Sequence, residues 1–273
     1  MLNEVLELIK NHSHSKILDG TLGLGGYSEA FLKNFHDSFV LGIDRDEQAI
    51  KFSCERLKDF DKRFSACHAN FSNIASITDA NSFDVYVFDL GVSNMQISDP
   101  ERGFSFQHDG VLDMRMNPDD KNLLTAREVL QSYDEKFSRQ IAKAIKNSRK
   151  PLETTGDLVN LIRETLPQPV QRKMGAHPAR RVFQALRIFI NNETQELENL
   201  LNALGKINND SLVIFVSYHS LEDRLVKKTF REWQVNERGK ILTRHPMTPT
   251  EEEIAKNYKA RSAKLRAFSI IKG

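Results

Sequence analysis

The sequence predicts an α/β protein: a doubly wound, mostly parallel sheet carrying an inserted, mostly helical domain. Three observations predict it. Through the first ninety residues short β-branched runs alternate with helix-like segments, the rhythm of a parallel sheet covered on both faces. About 120 residues then pass without a convincing strand, loop-like to about 118 and mostly helical afterwards. Strand patterning returns at residue 211.

The elements follow in order. "KILD" (16–19) reads as the first strand, then comes a glycine loop, then "YSEAFLKNF" as a helix. "SFVLGID" (38–44) is the second strand, followed by helical "DEQAIKFSCERLKDF", with Asp46 as its N-cap. "RFSACHA" (63–69) and "FDVYVFDLG" (83–91) are the third and fourth strands, and "SLVIFVS" (211–217) the fifth. A helix begins at about 221, where Ser220 and Asp223 have capping spacing. Thr250 with Glu253 opens another helix, and "AKLRAFSII" is the last strand. The expected division is 1–104 and 191–273 for the sheet domain and 105–190 for the insertion.

At 273 residues the chain can bury a sizeable core. It contains no apolar run of the roughly 18 residues that span a bilayer. Its first residues, "MLNEVLELIK", have acids where a signal peptide carries positive charge, so a cytoplasmic protein without membrane partners is expected. Cys54 and Cys67 form no CxxC pair, which fits a reducing compartment. His12 and His14 lack a third ligand nearby, so no metal is expected.

Ligands of open parallel sheets sit at the carboxyl ends of strands, near the point where strand order reverses. The loop "DGTLGLGGYS" (19–28) occupies that place. Its glycines, Gly20, Gly23, Gly25 and Gly26, do not make the G-x-G-x-x-G of a dinucleotide site, because Ser28 falls where the third glycine belongs. Asp19 discriminates further. A carboxylate there repels a pyrophosphate and suits a ligand with an ammonium group, such as S-adenosylmethionine. Asp44, closing the second strand, is placed to accept from both ribose hydroxyls of an adenosine.

On the target side, Asp89 ends the fourth strand and either orients the backbone or accepts a hydrogen bond from a reacting amine or the cofactor. The Asn/Asp-Pro-Pro-aromatic motif of many amino-group methyltransferases is absent there, so spacing alone leaves the reaction open. After the fifth strand, "VSYHSLEDRLVKK" offers His219 and Arg224 as candidates for substrate contact.

Net charge is only +2, but the basic residues are clustered. Residues 136–150 contain six basic side chains and no acid, and residues 171–187 and 256–266 contain five each and no acid. On a helix Arg139, Lys143, Lys146 and Lys150 fall within about 60° of one another, with Ile141 and Ile145 opposite. A face of one sign suits a phosphate backbone. Arg180, Arg181 and Arg261 lie in the other two clusters.

In order along nearly the whole chain, "LNEVLEL", "DGTLGLGG", "GIDRD", "FDLGVS", "DPERGFSF", "DGVLDMRM", "HPARRVFQALRI", "HSLEDR" and "ARSAKLR" resemble the RsmH/MraW family of small-subunit ribosomal RNA cytosine-N(4) methyltransferases. The resemblance implies a Rossmann-like class I methyltransferase fold with an inserted helical domain. It implies cofactor contacts at Gly25, Gly26, Tyr27, Asp44, Phe71, Asp89 and Gln96, and a target near the decoding centre of 16S RNA. The chain departs from the family pattern where Tyr27 replaces a frequent His, where "SNMQ" replaces "SSPQ", and where residues 125–135 are shorter than usual. It also begins without the His-x-Pro-Val segment that usually precedes "LLNEVL".

The expected activity is therefore N(4)-methylation of a cytidine in small-subunit ribosomal RNA, with S-adenosylmethionine as the cofactor. Asp89, with Ser93, Asn94 or His219, is the candidate catalytic set, and the ribosomal RNA or small subunit is the partner. Oligomeric state is left open between monomer and homodimer. A carbon-5 cytosine methyltransferase needs a cysteine nucleophile, and neither Cys54 nor Cys67 lies at the end of the fourth or fifth strand. A dinucleotide oxidoreductase is opposed by Asp19 and the broken fingerprint. An RNA-binding assembly factor without chemistry is the alternative from another class.

Overall fold

The computed structural model describes residues 1–120, 123–126, 139–148, 150–173 and 177–273. The elements in chain order are α1 (Leu2–Lys10), β1 (Lys16–Asp19), α2 (Gly26–Asn34), β2 (Phe39–Asp44), α3 (Glu47–Arg56), β3 (Phe64–His68), α4 (Ile74–Ile77) and β4 (Val85–Asp89). Then come α5 (Asn94–Ser98), α6 (Arg139–Lys146), α7 (Thr155–Thr165), α8 (Gln168–Lys173), α9 (Arg180–Ile190) and α10 (Glu193–Leu204). The chain closes with β5 (Ser211–Ser217), α11 (Ser220–Val235), β6 (Gly239–Ile241), α12 (Glu251–Lys256) and β7 (Lys264–Ile270).

The chain divides into two compact units, Met1–Gly91 with Thr194–Gly273, and Val92–Glu193. The first is a Rossmann-like domain. Its seven strands run in the order β3-β2-β1-β4-β5-β7-β6. The first five are mutually parallel, and β7 lies antiparallel between β5 and β6. Strand order reverses between β1 and β4, so their carboxyl ends form the switch point.

Strand periodicity distributes the core. Ile17, Val85, Val87, Leu212, Ile214 and Val216 face one layer, with Val5 and Ile9 of α1 and Phe31 and Leu32 of α2. The alternate residues Leu18, Tyr86, Phe88, Val213 and Phe215 face the other, against Leu197, Leu200, Leu201 and Leu204 of α10 and Val226, Phe230 and Trp233 of α11. Both sheet faces are therefore dry, as near-continuous apolar strands require. The expected strands are present with ends shifted by a residue or two. The three-residue β6 was not anticipated; it pairs through Gly239, Lys240 and Ile241 with β7.

The second unit has a core of its own, formed by Phe104, Leu112, Met114 and Met116 with Leu158 and Ile162 of α7 and Val182, Phe183, Leu186 and Ile190 of α9. It begins at Val92 rather than at 105, because Val92, Ile97 and Phe104 pack into that core. The "DPERGFSF…DGVLDMRM" motifs build its non-helical wall. Arg102 is buried and donates from Nη2 to the carbonyls of Arg115 (3.2 Å) and Met116 (2.8 Å). Asn191 spans the same wall, donating to Met114 O at 2.8 Å and accepting from Met116 N at 2.7 Å. Phe106 stacks on His177 at 4.8 Å and meets Phe183 edge-on at 5.8 Å, joining "RGFSF" to "HPARRVF".

Candidate functional site

The loop between β1 and α2 is shaped by two constraints. Gly20 crosses so close beneath Phe88 that a Cβ on it would lie 2.1 Å from the ring. Gly25, the N-cap of α2, has φ of 75° and thus the left-handed conformation that glycine adopts without penalty. Gly26 is different: a Cβ there would meet nothing within 4 Å, so the first turn of α2 opens onto free space.

Three strand-end aspartates surround this loop, and each is held differently. Asp19 is 1% exposed, its Oδ2 accepting from the Ser28 hydroxyl at 2.7 Å and its Oδ1 from Thr21 N at 3.3 Å. Oδ2 thus ties the end of β1 to α2, and Oδ1 holds the turn at the start of the loop. Burial pushes its carboxyl up to about 6, opposed by the Ser28 hydrogen bond. Asp44 accepts from Gly23 N at 2.7 Å and from Asp46 N at 2.9 Å, one bond to each oxygen. Burial raises its pKa against those two bonds.

Asp89 is fixed through its backbone N–H, which donates to Thr21 Oγ1 at 2.6 Å, and through Oδ1, which accepts from the Tyr218 hydroxyl at 2.8 Å. Desolvation pushes its carboxyl up to about 7, the Tyr218 bond pulls the other way, and the Asp19 charge adds to the rise. The phenol of Tyr27 is raised by burial first and then by the Asp89 charge. Phe71 follows β3 in a turn capped by Asn70, with its ring edge-on to Phe88 at 6.2 Å. β1, β2 and β4 thus bring Asp19, Asp44 and Asp89 to one edge of the sheet, with Gly25, Gly26 and Tyr27 on the adjoining loop and helix.

Other expected site residues have local duties. His219, not Ser220, is the N-cap of α11, and its partner is Glu222, not Asp223. His219 Nδ1 faces Glu222 N at 3.5 Å, and Nε2 lies 3.0 Å from Glu222 Oε1. Nδ1 thus serves the helix start, while Nε2 is buried beside that carboxylate without a hydrogen bond among the described residues. Asp223 instead accepts from Arg266 Nε at 2.7 Å and Lys264 Nζ at 3.1 Å. Within the insertion, Ser93 caps α5 by accepting from Gln96 N at 3.2 Å, while Gln96 Oε1 accepts from Ser93 N at 3.0 Å. Gln96 is buried and Asn94 is exposed.

Lys143 and Lys146 are exposed on α6, whose Ile141 is buried, and Lys150 is exposed beyond its end. The side chain of Arg139 lies outside the described residues. Arg180 and Arg181 are exposed in the first turn of α9, where a helix dipole disfavours cations. Arg224 is exposed on α11, and Arg261 is exposed with its guanidinium 5.0 Å from the Tyr258 ring. Tyr218 was missed from sequence, as were Thr21 and Ser28; the only signal was their position at strand ends or in the glycine loop.

The sheet order, the antiparallel β7 and the acidic strand ends define a Rossmann-like methyltransferase of class I. Residues 1–271 match the MraW methylase family, and the chain belongs to it. It is 38% identical to ribosomal RNA small subunit methyltransferase H of Carboxydothermus hydrogenoformans, over 98% of this chain and 95% of that protein. The protein of the same name from Picosynechococcus sp. is 44% identical, over 91% and 88% of the two chains. That of Sulfurihydrogenibium azorense is 40% identical, over 96% and 95%. Among the described residues no helix is long and apolar enough to cross a membrane.

Proposed function

We propose that the protein methylates N(4) of a cytidine in small-subunit (16S) ribosomal RNA, near the decoding centre, with S-adenosylmethionine as methyl donor. The single observation that carries the cofactor reading is the gathering of Asp19, Asp44 and Asp89 at the ends of β1, β2 and β4 beside the open first turn of α2. A cation-bearing ligand is favoured at such an edge and a pyrophosphate is repelled. Family membership and the relatives' names support the RNA substrate.

The residues fit the cofactor. Each oxygen of Asp44 holds one backbone N–H and keeps a lone pair for a ribose hydroxyl. Gly25 and Gly26 let a ligand approach the helix start, while Tyr27 and Phe71 supply aromatic walls. Asp19, buried beneath the loop, contributes its negative field. Bound S-adenosylmethionine supplies a methyl group activated by a sulfonium.

The chain's own task is set by the nucleophile. The N(4) lone pair of cytosine is delocalised into the ring, so the amine must be held in line with the methyl group and its N–H accepted as it turns tetrahedral. Asp89 is the acceptor. The target base leaves its stack to enter. Exposed Lys143, Lys146, Lys150, Arg180 and Arg181 of the insertion are suited to RNA phosphates. The same reading assigns phosphate contacts to Arg139, Arg224 and Arg261 and places the protein in the cytoplasm. Nucleoside mass spectrometry of ribosomal RNA from cells lacking the gene tests the proposal: N(4)-methylcytidine should vanish at one site and return with the wild-type gene.

A further inference from the structure

Tyr218 is the first residue beyond β5, and two hydrogen bonds fix it. Its hydroxyl donates to Asp89 Oδ1 at 2.8 Å, joining the ends of β5 and β4. Its backbone N–H donates to Glu222 Oε2 at 3.0 Å, in the capping turn of α11. Its ring lies near Gly91, where an added Cβ would stand 3.8 Å from Cδ2. The backbone of Asp89 is anchored independently by Thr21. Among the described residues Asp89 Oδ2 accepts no hydrogen bond.

The last torsion of an aspartate side chain is broad, so an untethered carboxylate presents either oxygen in many orientations. We infer that Tyr218 is a positioning residue for methyl transfer: its hydroxyl commits Oδ1 of Asp89 and so presents Oδ2 to the reacting amine. This rests on the reading of Asp89 as the acceptor given above. Tyr218 does not touch the reacting atoms; it acts through Asp89.

The surrounding charges make the role measurable. Asp89 faces Asp19 from the end of β1, Tyr27 from α2, Glu222 from α11 and the Met1 ammonium. Burial, Asp19 and Glu222 oppose ionisation of Asp89; the Tyr218 bond and the ammonium favour it. Burial and the Asp89 charge hold the Tyr218 phenol far above neutrality, so it remains a donor throughout the working range.

The experiment follows single-turnover methylation of small subunits that lack the modification, as a function of pH, for wild type, Tyr218→Phe and Asp89→Ala. Loss of the hydroxyl should raise the acid limb by about one pH unit, a tenfold change in proton affinity. The rate of Tyr218→Phe should then fall about fivefold more at pH 7 than near pH 9, where the deficit that persists reports the lost orientation of Oδ2. A profile superimposable on wild type, or lowered by one factor at every pH, would overturn the inference. If Tyr218→Phe does not fold, 3-fluorotyrosine at 218, a stronger donor of almost the same shape, should move the limb downward, and an unmoved limb would overturn it. Wild-type turnover in a folded Asp89→Ala protein would remove Asp89 as acceptor and the inference with it. Inactive Asp89→Ala beside an unshifted Tyr218→Phe would overturn the positioning role alone.

Discussion

Asp44 accepts the backbone N–H of Gly23 at 2.7 Å, so the acid that closes β2 also fixes the glycine loop. The bond crosses from the end of β2 to the loop after β1, and Ser53 Oγ secures the same glycine by donating to its carbonyl at 2.8 Å. On the proposed reading, removing this carboxylate disturbs ligand contact and loop shape together.

Asp44→Ala should consequently weaken S-adenosylmethionine binding by about 1.5–3 kcal/mol, the worth of hydrogen bonds to a charged group. Gly25→Val should weaken it as well, because its φ of 75° disfavours a β-branched residue and a Cβ already meets Ser53 Oγ and Leu57 Cδ1 at 3.2 Å. Calorimetry of folded variants checks both. Unchanged affinity in Asp44→Ala would remove the ribose role.

Proton linkage follows from the two raised carboxyls. Asp19 and Asp89 have folded pKa values of about 6 and about 7, above the ordinary 3.8. A raised acid pKa means that the folded state binds the proton more tightly, so its stabilisation is present below about pH 4 and is lost as pH rises through about 6 to 7. The thermal midpoint of Asp19→Asn, measured against wild type, should therefore compare least favourably in acid and gain as pH rises.

Binding of a ligand with an ammonium group favours the carboxylate form, so it should release protons near pH 6.5. S-adenosylhomocysteine is a stable probe. Its apparent binding enthalpy should differ between two buffers of unlike ionisation enthalpy, and its affinity should rise from about pH 6 to pH 8. Equal enthalpies in both buffers would show that neither aspartate changes protonation.

The exposed cations of the insertion allow a different test. Reversal of Lys143, Lys146, Arg180 and Arg181 to Glu should sharply reduce RNA affinity and flatten its dependence on salt, because each phosphate contact releases counterion. Cofactor binding should be unaffected. If both affinity and salt slope remain at wild-type values, these side chains are only solvated.

Much of this architecture is visible in residue order, because β1, β2, β4, β5 and β7 carry apolar residues whose alternate members face opposite layers. β6 is not, since three residues carry no period and its pairing with β7 is a tertiary event. Asp44 and Asp89 are legible as acids closing strands. Asp19 has the same local signature, but its burial and its bonds to Ser28 and Thr21 cannot be read from spacing. Tyr218 escapes for a related reason: its partner is 129 residues away, across a strand pair that forms only in the fold. At His219 the pattern Ser-x-x-Asp and the pattern His-x-x-Glu are offset by one residue, and the structure uses the latter.

Product identity tests the central claim most directly. Purified protein, S-adenosylmethionine and small ribosomal subunits from a strain lacking the enzyme are incubated, and the digested RNA is resolved by chromatography and mass spectrometry. Wild type should yield N(4)-methylcytidine at one site, and Asp89→Ala should lose most turnover. Joint substitution of Cys54 and Cys67 by Ser should leave the product unchanged, because no covalent adduct is needed. A carbon-5 product, activity lost with the cysteines in a folded protein, or no methylation of subunits, assembly intermediates or free RNA would contradict the account.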